Sequence, residues 1–473
     1  MASALLNNPT YALQPSAEQV PLQTNYITNF NFLNQYLPDT YEKEFERYGN
    51  RTIASFLRLV GAEMPSNSDQ IKWAEQGRLH IKYNNCATSA VIGADTATIT
   101  VTQADVTSIA IRVGQTLMIQ ANTSGVYNKA IVTTVDNTAK EFTVAYYEAD
   151  GQAFEIEDTI TVFIYGSEFK KGTNGMVGSL EAVDDIFQNN PIIIKDKYAV
   201  NGSDMAQIGW VEVTTENGAT GYLWYLKSEH ETRLRFEDYL ETAMIEAVPA
   251  ATGSGAKALD YMGSEGIFYV VNERGNVWGG GTPTTLAQWD SIVQRLDKQG
   301  AIEENVIFVN RGLSFDIDNM LATLNGYTSG GVAQSASFGL FDNDVNMALN
   351  LGFTGFRRGY DFYKSDWKYL NDPTMRGGLS ATAATATGTV TGLLVPAGST
   401  SVYDQIMGKN AKRPFLHVRY RATEAEDRRY KTWITGSAGG AATSDLDAME
   451  VNFLSERCVC TLGANNFILF RFG

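Results

Sequence analysis

Two segments of the sequence approach the patterns of ligand-binding loops. TGSGAK at residues 252–257 has glycines and a lysine, but it lacks the spacing of a phosphate-binding loop and the hydroxyl that such a loop offers to Mg²⁺. Asp342, Asp344 and Asn346 resemble the start of a calcium loop, yet the sixth position is Met347, where that loop needs glycine for its turn. The better predictions are a flexible linker and a surface turn.

Patterns for catalysis or metal binding do not occur elsewhere in the sequence. It contains no G-x-S-x-G elbow, no H-E-x-x-H helix and no cysteine pair with zinc spacing. Carboxylates such as Glu229 and Glu237 fall in a predicted helix beside Lys227 and Arg233, where we expect ion pairs or solvated side chains. We therefore predict no catalytic residue, no metal ligand and no cofactor.

The three cysteines, Cys86, Cys458 and Cys460, are too few for a disulfide framework. Sparse cysteines are typical of proteins that stay in a reducing compartment, where they act as small apolar side chains. We therefore predict that all three are buried.

Charge and composition narrow the class of protein. The chain has 473 residues, is 44% hydrophobic and carries a net charge of −16, which disfavours binding to nucleic acid through phosphate contacts. An acidic wall would instead repel enclosed DNA. Apolar runs fall far short of the roughly 20 residues that span a bilayer, and MASALLNNPT does not resemble a secretory signal. We expect the protein to be made and used without export or membrane insertion.

The stretch DQIKWAEQGRLHIKYN at residues 69–84 predicts one very long strand. Apolar residues alternate with polar ones along most of it, and sixteen residues would extend roughly 50 Å. A compact domain of this chain's length has a radius of gyration of only about 23 Å. The strand is therefore expected to leave its own subunit and to cover its apolar face with a neighbouring copy.

A separate β-module follows this stretch. Short Thr/Val/Ile runs with turn signals between them, from residue 87 to residue 165, predict a small barrel or sandwich. The module carries three basic and nine acidic residues, so its surface is acidic. The Gly- and Lys-rich segment after it would return along the outgoing strand, which makes the module an insertion in a hairpin.

The rest of the chain alternates between helical and strand patterns. Residues 1–38 show no sustained period and are predicted to be an arm that becomes ordered on a partner. Helical spacing predicts helices at 39–65 and 222–248, the second about 40 Å long.

Residues 261–394 are predicted to be a mixed α/β domain. Its predicted elements are a strand at IFYVV, a helix around 286–296, a strand at NVIFV, a helix around 317–324 and an Ala/Thr/Gly-rich loop or hairpin at 377–392.

Four strand-like runs finish the chain: FLHVRYRA, RYKTWITG, MEVNFLSERCVCTLG and NNFILFRFG. The last of them ends at the terminus of the sequence. A terminal strand is expected to dock back into a sheet.

This order of parts, together with the DQIKWAEQGRLH run, resembles the major capsid proteins of tailed bacteriophages that have the Hong Kong 97 fold, and in particular those of crAss-like phages. The resemblance implies an α+β capsid fold with an N-terminal arm, a long E-loop hairpin, a spine helix, an axial α/β domain and an inserted all-β barrel or sandwich. The implied ranges are an arm at 1–38, a joining helix at 39–65, an E-loop at 66–85 and 166–180, an inserted β-domain at 86–165, a peripheral domain at 181–260 and 395–473 with its spine helix at 222–248, and an axial domain at 261–394.

The function implied by the resemblance is structural. Hexamers and pentamers of the chain would build an icosahedral head shell around packaged double-stranded DNA, made in the bacterial cytoplasm and found in the virion. Implied partners are decoration or head-fibre proteins, a portal, and scaffolding or protease factors, with neither specific DNA binding nor a membrane. A β-rich carbohydrate-active enzyme and another virion component, such as a decoration or tail protein, remain alternatives.

The residues predicted to contact a neighbouring subunit come from the long hairpin. Apolar ones would lie against the neighbour, and basic ones would meet its acidic surface. The predicted contact residues are Trp73, Arg78, Leu79, Ile81, Lys82, Tyr83, Lys170 and Lys171.

Overall fold

The computed structural model describes residues 62–78, 80–89, 91–104, 106–156, 158–179, 184–205, 213–214, 220–221, 224–324, 354–379, 388–397, 399–404, 409–438 and 442–472. The chain divides into two compact units. The first unit includes the described residues of Lys195–Asp238 and Thr432–Phe453, and the second those of Ile53–Ile194, Tyr239–Lys431 and Leu454–Gly473. The predicted arm at 1–38 and the calcium-loop-like segment lie outside the described residues.

The described chain is a mixture of helices and strands. Its strands are β1 (Ala62–Ser66), β2 (Ile71–Gln76), β3 (Lys82–Thr88), β4 (Thr96–Val101), β5 (Gln115–Ala121), β6 (Tyr127–Asp136), β7 (Glu141–Tyr146), β8 (Ile160–Ser167), β9 (Asp184–Asn189), β10 (Ile192–Asn201), β11 (Val213–Thr214), β12 (Thr220–Gly221), β13 (Asn276–Trp278), β14 (Glu304–Val309), β15 (Gly355–Arg358), β16 (Tyr360–Asp366), β17 (Val390–Pro396), β18 (Ser399–Asp404), β19 (Lys409–Pro414), β20 (Leu416–Arg421), β21 (Lys431–Gly436), β22 (Ala448–Thr461) and β23 (Ile468–Arg471). Its helices are α1 (Gly202–Met205), α2 (Trp224–Glu246), α3 (Gly255–Ala258), α4 (Ile267–Arg274), α5 (Leu286–Lys298), α6 (Arg311–Leu324) and α7 (Lys368–Asn371), with 3₁₀ turns at Arg376–Gly378 and Ala464–Asn466.

Strands β3 to β8 close into a barrel in the order β3-β4-β7-β6-β5-β8. Successive residues of a strand face opposite sides, so alternate side chains fill the interior. Ile99, Leu117, Phe142 and Val162 lie there, each at most 1% exposed. The β-module predicted from the Thr/Val/Ile runs is therefore a closed barrel with its own apolar core.

The prediction of one continuous strand over residues 69–84 is wrong. Strand β2 ends at Gln76 and pairs with β9, whereas β3 begins at Lys82 and pairs with β4 and β8 of the barrel. The apolar alternation continues through the break because each half buries one face, but against different partners. Alternation reports which face is buried and not what covers it.

The second unit contains a six-stranded sheet in the order β13-β23-β17-β14-β16-β15. Strand β23 lies between β13 and β17, so the prediction that the terminal strand docks back into a sheet is confirmed. Helices α5 and α6 pack on this sheet through a cluster that includes Trp289, Leu296 and Ile317. The predictions of these helices and of strand β14 are confirmed as well.

The prediction of a strand at IFYVV is wrong, because residues 267–271 open helix α4. Ile267, Phe268, Val270 and Val271 are all buried, and a short apolar run covered on several sides has no period that separates helix from strand. Gly266, which precedes this helix, packs so closely that a Cβ there would lie 2.7 Å from backbone atoms of Ala247.

Two predicted segment boundaries are also wrong. Residues 62–65, assigned to the helix at 39–65, belong to strand β1, which pairs in parallel with β20. Residues 390–392, assigned to an Ala/Thr/Gly-rich loop or hairpin, begin the fully buried strand β17. Both segments take their conformation from a partner strand that is distant in sequence.

In the first unit, strands β10 and β21 flank β22. Phe236 of α2 stacks on Phe453 with ring centroids 5.7 Å apart, and Lys197 pairs with Glu450 at 3.0 Å. The long helix predicted at 222–248 is α2 and spans Trp224–Glu246.

The three cysteines are buried and free, as predicted. Cys86 lies in the barrel core, while Cys458 and Cys460 lie on β22. Strand β22 pairs with β20 in antiparallel fashion, and Cys460 lies opposite His417.

Candidate inter-subunit surface

Strands β2 and β9 form a two-stranded ribbon, and the barrel is inserted between its two arms. Trp73 of β2 lies opposite Phe187 of β9, and their ring centroids are 6.3 Å apart, within the range of an aromatic pair. The guanidinium of Arg274 covers the Phe187 ring at 4.4 Å and is held by Glu265 at 2.8 Å. One face of the ribbon is therefore packed against side chains of its own unit.

The buried side chain of Asn189 fixes the base of the ribbon. Its Oδ1 accepts hydrogen bonds from the Ser264 hydroxyl at 3.0 Å and from the Glu265 N–H at 2.8 Å. Its Nδ2 donates to the carbonyl oxygens of Glu265 at 3.0 Å and Val459 at 2.6 Å. Because a buried amide is stable only when its polar atoms are bonded, these contacts hold β9 in a defined direction.

Glu75 holds the other strand of the ribbon. Its Oε1 accepts hydrogen bonds from the indole N–H of Trp73 and from the backbone N–H of Gly463, both at 3.0 Å. A cavity of about 450 Å³ lies beside this contact and is lined by Glu75, Asp185, Ile186, Phe187, Arg274, Ala464 and Asn465.

The opposite face of the ribbon is open. Ile186, a neighbour of Phe187 that faces the other way, is 71% exposed, and Ala74 opposite it is exposed too. Among the described residues β2 and β9 pair only with each other, so each leaves one edge of backbone donors and acceptors without a strand partner. Isolated two-stranded ribbons are marginal in water, and open edges favour pairing with another chain.

Trp73 and Arg78, two residues from the predicted contact set, lie near the ribbon and have partners within their own chain. Trp73 is half-buried against Phe187. Arg78 is exposed, and its Nη2 donates to the carbonyl oxygen of Lys298 at the end of α5, at 2.6 Å. The structure therefore gives both side chains a role within the subunit, and their contact with a neighbour stays a prediction.

The placement of Tyr83 on a contact surface is corrected by the structure. Tyr83 is 6% exposed in the barrel core, where its hydroxyl accepts a hydrogen bond from the Ala110 N–H at 2.7 Å. Burial raises the pKa of Tyr83, against the opposite effect of that hydrogen bond. Ile81 is half-buried against the same core. Tyr83 faces inward because β3 is a barrel strand rather than the end of a free arm.

The three predicted lysines are on the surface. Lys82, Lys170 and Lys171 are exposed, while Leu79 lies outside the described residues. The segment after β8 lies along the barrel, where the Glu168 N–H donates to the Gly114 carbonyl at 2.9 Å. The partner of β2 is β9 at 184–189 and not the predicted range 166–180.

The structure therefore moves the candidate surface from one face of the ribbon to the other. Tyr83 is buried within the subunit, and Ile71, Trp73 and Ile81 are half-buried there. Ile186, which the sequence analysis missed, is exposed. The segment DDIFQN has only two apolar residues side by side, so no alternation identifies it as a strand. Its one signal is position, because a hairpin that leaves a sheet must return to it.

The described residues contain no group of three or more His, Cys, Asp or Glu side chains that could hold a metal ion. Of the helices that the structure describes, none is both long enough and apolar enough to cross a membrane.

No protein-family model and no curated protein matches the chain. Solved structures do align with it over most of its length. A chain of Microbacterium phage Oxtober96 is 11% identical with a TM-score of 0.39, covering 95% of this chain and 100% of that one. A chain from the capsid structure of the cyanophage P-SCSP1u is 9% identical with a TM-score of 0.40, covering 98% and 99%. A chain of Mycobacterium phage Ogopogo is 8% identical with a TM-score of 0.42, covering 95% and 100%.

These three chains come from phages.

Proposed function

We propose that this chain is a structural protein of a phage head, where copies of it associate into the shell. The single observation that carries the proposal is the ribbon of β2 and β9. It is held rigidly at its base by Asn189, yet its outer face and both strand edges are left without a partner in the described chain.

A neighbouring copy is the partner that such a surface fits best. An open ribbon edge pairs with another strand or lies on a flat surface, and a repeated head-to-tail contact of this kind closes into rings. The fixed direction of the ribbon favours one geometry of contact. Contacts of the ribbon and of other segments would add through their high effective concentration in a ring.

The finer parts of the proposal follow the family resemblance. The fold would be of the Hong Kong 97 type, the ribbon would belong to the E-loop, α2 would be the spine helix, and the barrel would be the inserted domain. Hexamers and pentamers would form the shell around double-stranded DNA, with decoration, portal and scaffolding or protease proteins as partners. Lys82, Lys170 and Lys171 would face acidic surface of a neighbour, which the net charge of −16 supports.

The test of the proposal is the substitution Ile186→Asp. A carboxylate on the open face of the ribbon should prevent association, because it would be buried without a partner in the contact. The side chain is 71% exposed, so folding of the subunit should be unaffected. Negative-stain microscopy and size-exclusion chromatography of the purified full-length protein measure assembly, and circular dichroism measures folding.

Ile92→Asp is the matched control, because Ile92 is 55% exposed on the barrel. It should assemble like the unchanged protein. Normal shells from Ile186→Asp, or a discrete monomer from the unchanged protein under all assembly conditions, would contradict the proposal.

A further inference from the structure

The outer surface of the barrel has a cavity with an unusual lining. Its volume is about 730 Å³, in the range of small-molecule sites. Three tyrosines contribute to it: Tyr127, Tyr147 and Tyr165 are 60%, 49% and 47% exposed. None of these three aromatic rings belongs to the apolar core that fills the barrel interior.

A β-bulge places one of the rings in the cavity. Thr116 of β5 pairs with Gly166 of β8, and the next residue, Leu117, pairs with Ile164. Tyr165 is therefore the extra residue of the bulge. Bulges redirect side chains and are frequent beside binding sites. The other two rings come from β6 and from the residue after β7, so the cavity is built on barrel strands instead of a long loop.

Polar contacts hold two of the rings. The Tyr147 hydroxyl donates to Oε2 of Glu168 at 2.6 Å, and the ammonium of Lys129 lies 5.7 Å from the Tyr165 ring centre. Desolvation, and next the hydrogen bond to Glu168, raise the pKa of Tyr147. A site whose side chains are fixed beforehand loses less entropy when a ligand binds.

We propose that this cavity binds an oligosaccharide. Sugar rings present C–H faces that pack on aromatic rings and hydroxyls that hydrogen-bond to carboxylates, and the cavity offers both kinds of partner. Glu148 and Glu168 supply the carboxylates, and Lys129 supplies a donor. Small barrels elsewhere bind oligosaccharides on their outer strands.

The charges on the cavity disfavour other ligands. Two carboxylates against one ammonium leave an excess of negative charge, which disfavours nucleic acid and phosphorylated ligands. The charged side chains of the cavity also make an apolar helix or β-strand a poor ligand. When such a ligand binds, it would bury the carboxylates without hydrogen-bond partners. The inference is independent of the proposed shell role.

The test uses the full-length protein and three neutral hexasaccharides: β-1,4-linked glucose, β-1,4-linked N-acetylglucosamine and α-1,4-linked glucose. Saturation-transfer NMR measures binding of each sugar. At least one should bind, and Tyr165→Ala should weaken that binding about tenfold or more. Glu168→Gln, which preserves the shape of the side chain, should weaken it as well, and it keeps the test valid if loss of the ring disturbs the barrel.

Tyr261→Ala is the control, because Tyr261 is 68% exposed and lies outside the barrel. It should leave binding unchanged. The absence of binding to all three sugars overturns the proposal, as does equal binding by Tyr165→Ala, Glu168→Gln and the unchanged protein. If Tyr165→Ala instead abolishes assembly and no sugar binds, the cavity is a contact between copies and the proposal is wrong.

Discussion

The barrel and the ribbon of this chain are both built from antiparallel strands, but they satisfy their backbones in opposite ways. The barrel closes on itself, so each of its strands has two neighbours and its interior holds residues such as Leu117 and Phe142 at 0–1% exposure. The ribbon has two strands, one packed face and one open face with Ile186 at 71% exposure. All barrel strands are paired with two neighbours, whereas each ribbon strand has one edge without a strand partner among the described residues.

This difference bears on the stability of the subunit and on the proposed association of copies. Closure removes strand edges, which is how β-proteins avoid pairing with other chains. An open ribbon that is rigid at its base keeps its edges available without exposing a core. In the proposed shell, the acidic barrel would suit the surface and the ribbon would suit the contacts between copies.

Of the changes considered, Leu117→Ala should cause the largest difference in stability between the barrel and the rest of the subunit. Leu117 is fully buried between β6 and β8, so the cavity left by the substitution should cost about 2–5 kcal/mol of barrel stability. Hydrogen exchange in the full-length protein should speed up at the amides of β3 to β8 and remain slow at those of β14 and β17. Such a result would show that the barrel opens as its own cooperative unit.

Val113→Ala is the control for that substitution, since Val113 is 51% exposed on the barrel. It should leave exchange unchanged. Equally faster exchange in β14 and β17 would mean that the barrel does not unfold separately from the rest of the subunit. The barrel would then not be a self-sufficient region.

Sequence reasoning succeeded for the barrel and failed for the ribbon for a physical reason. The Thr/Val/Ile runs carry their own alternation and turns, and their partners are neighbours in sequence. Strand β9 has no alternation, and its partner Trp73 is more than a hundred residues away, so its existence depends on a pairing that no local pattern encodes.

The other correct and wrong predictions also depend on whether a local pattern is present in the sequence. Helix α5 was predicted because Trp289 and Leu296 repeat on one face above a polar face, whereas α4 is buried on several sides and has no such stripe. Of the contact residues, Lys82, Lys170 and Lys171 are exposed as expected, but Tyr83 is not, because alternation cannot say which surface covers a face.

Asn189→Ala should have an intermediate effect, confined to the ribbon. The substitution removes the side-chain amide that forms hydrogen bonds with Ser264, Glu265 and Val459. Each buried polar group left without a hydrogen bond costs about 1–3 kcal/mol of stability. Exchange at the amides of β2 and β9 should accelerate while the barrel amides stay protected.

The control for the ribbon is Gln188→Ala, which changes the exposed neighbour of Asn189 on the same strand. It should leave the amides of β2 and β9 as protected as before. Barrel amides that lose protection together with the ribbon in Asn189→Ala would show that the two regions open as one.

Alkaline pH should produce the smallest of these effects. It should destabilise the barrel and leave the ribbon unchanged, with no substitution in the core. Burial in the barrel raises the pKa of Cys86 from 9.0 to about 12. Because the folded pKa is the higher one, the thiol's contribution to stability is complete below about pH 9 and is lost as pH rises towards 12. Between about pH 8 and pH 9.5 the barrel should lose about 1 kcal/mol.

Protection factors corrected for the intrinsic pH dependence of exchange measure this loss. Strands β2 and β9 contain neither cysteine nor tyrosine, so their protection should not change in this range. Cys86→Ala should flatten the pH dependence of the barrel, whatever small loss of packing it causes, because only the slope reports the thiol. Tyr83 and Tyr146 also have raised pKa values, but their ordinary value of 10.0 places their effect at higher pH. An unchanged slope in Cys86→Ala would mean that the barrel opens without exposing its core thiol.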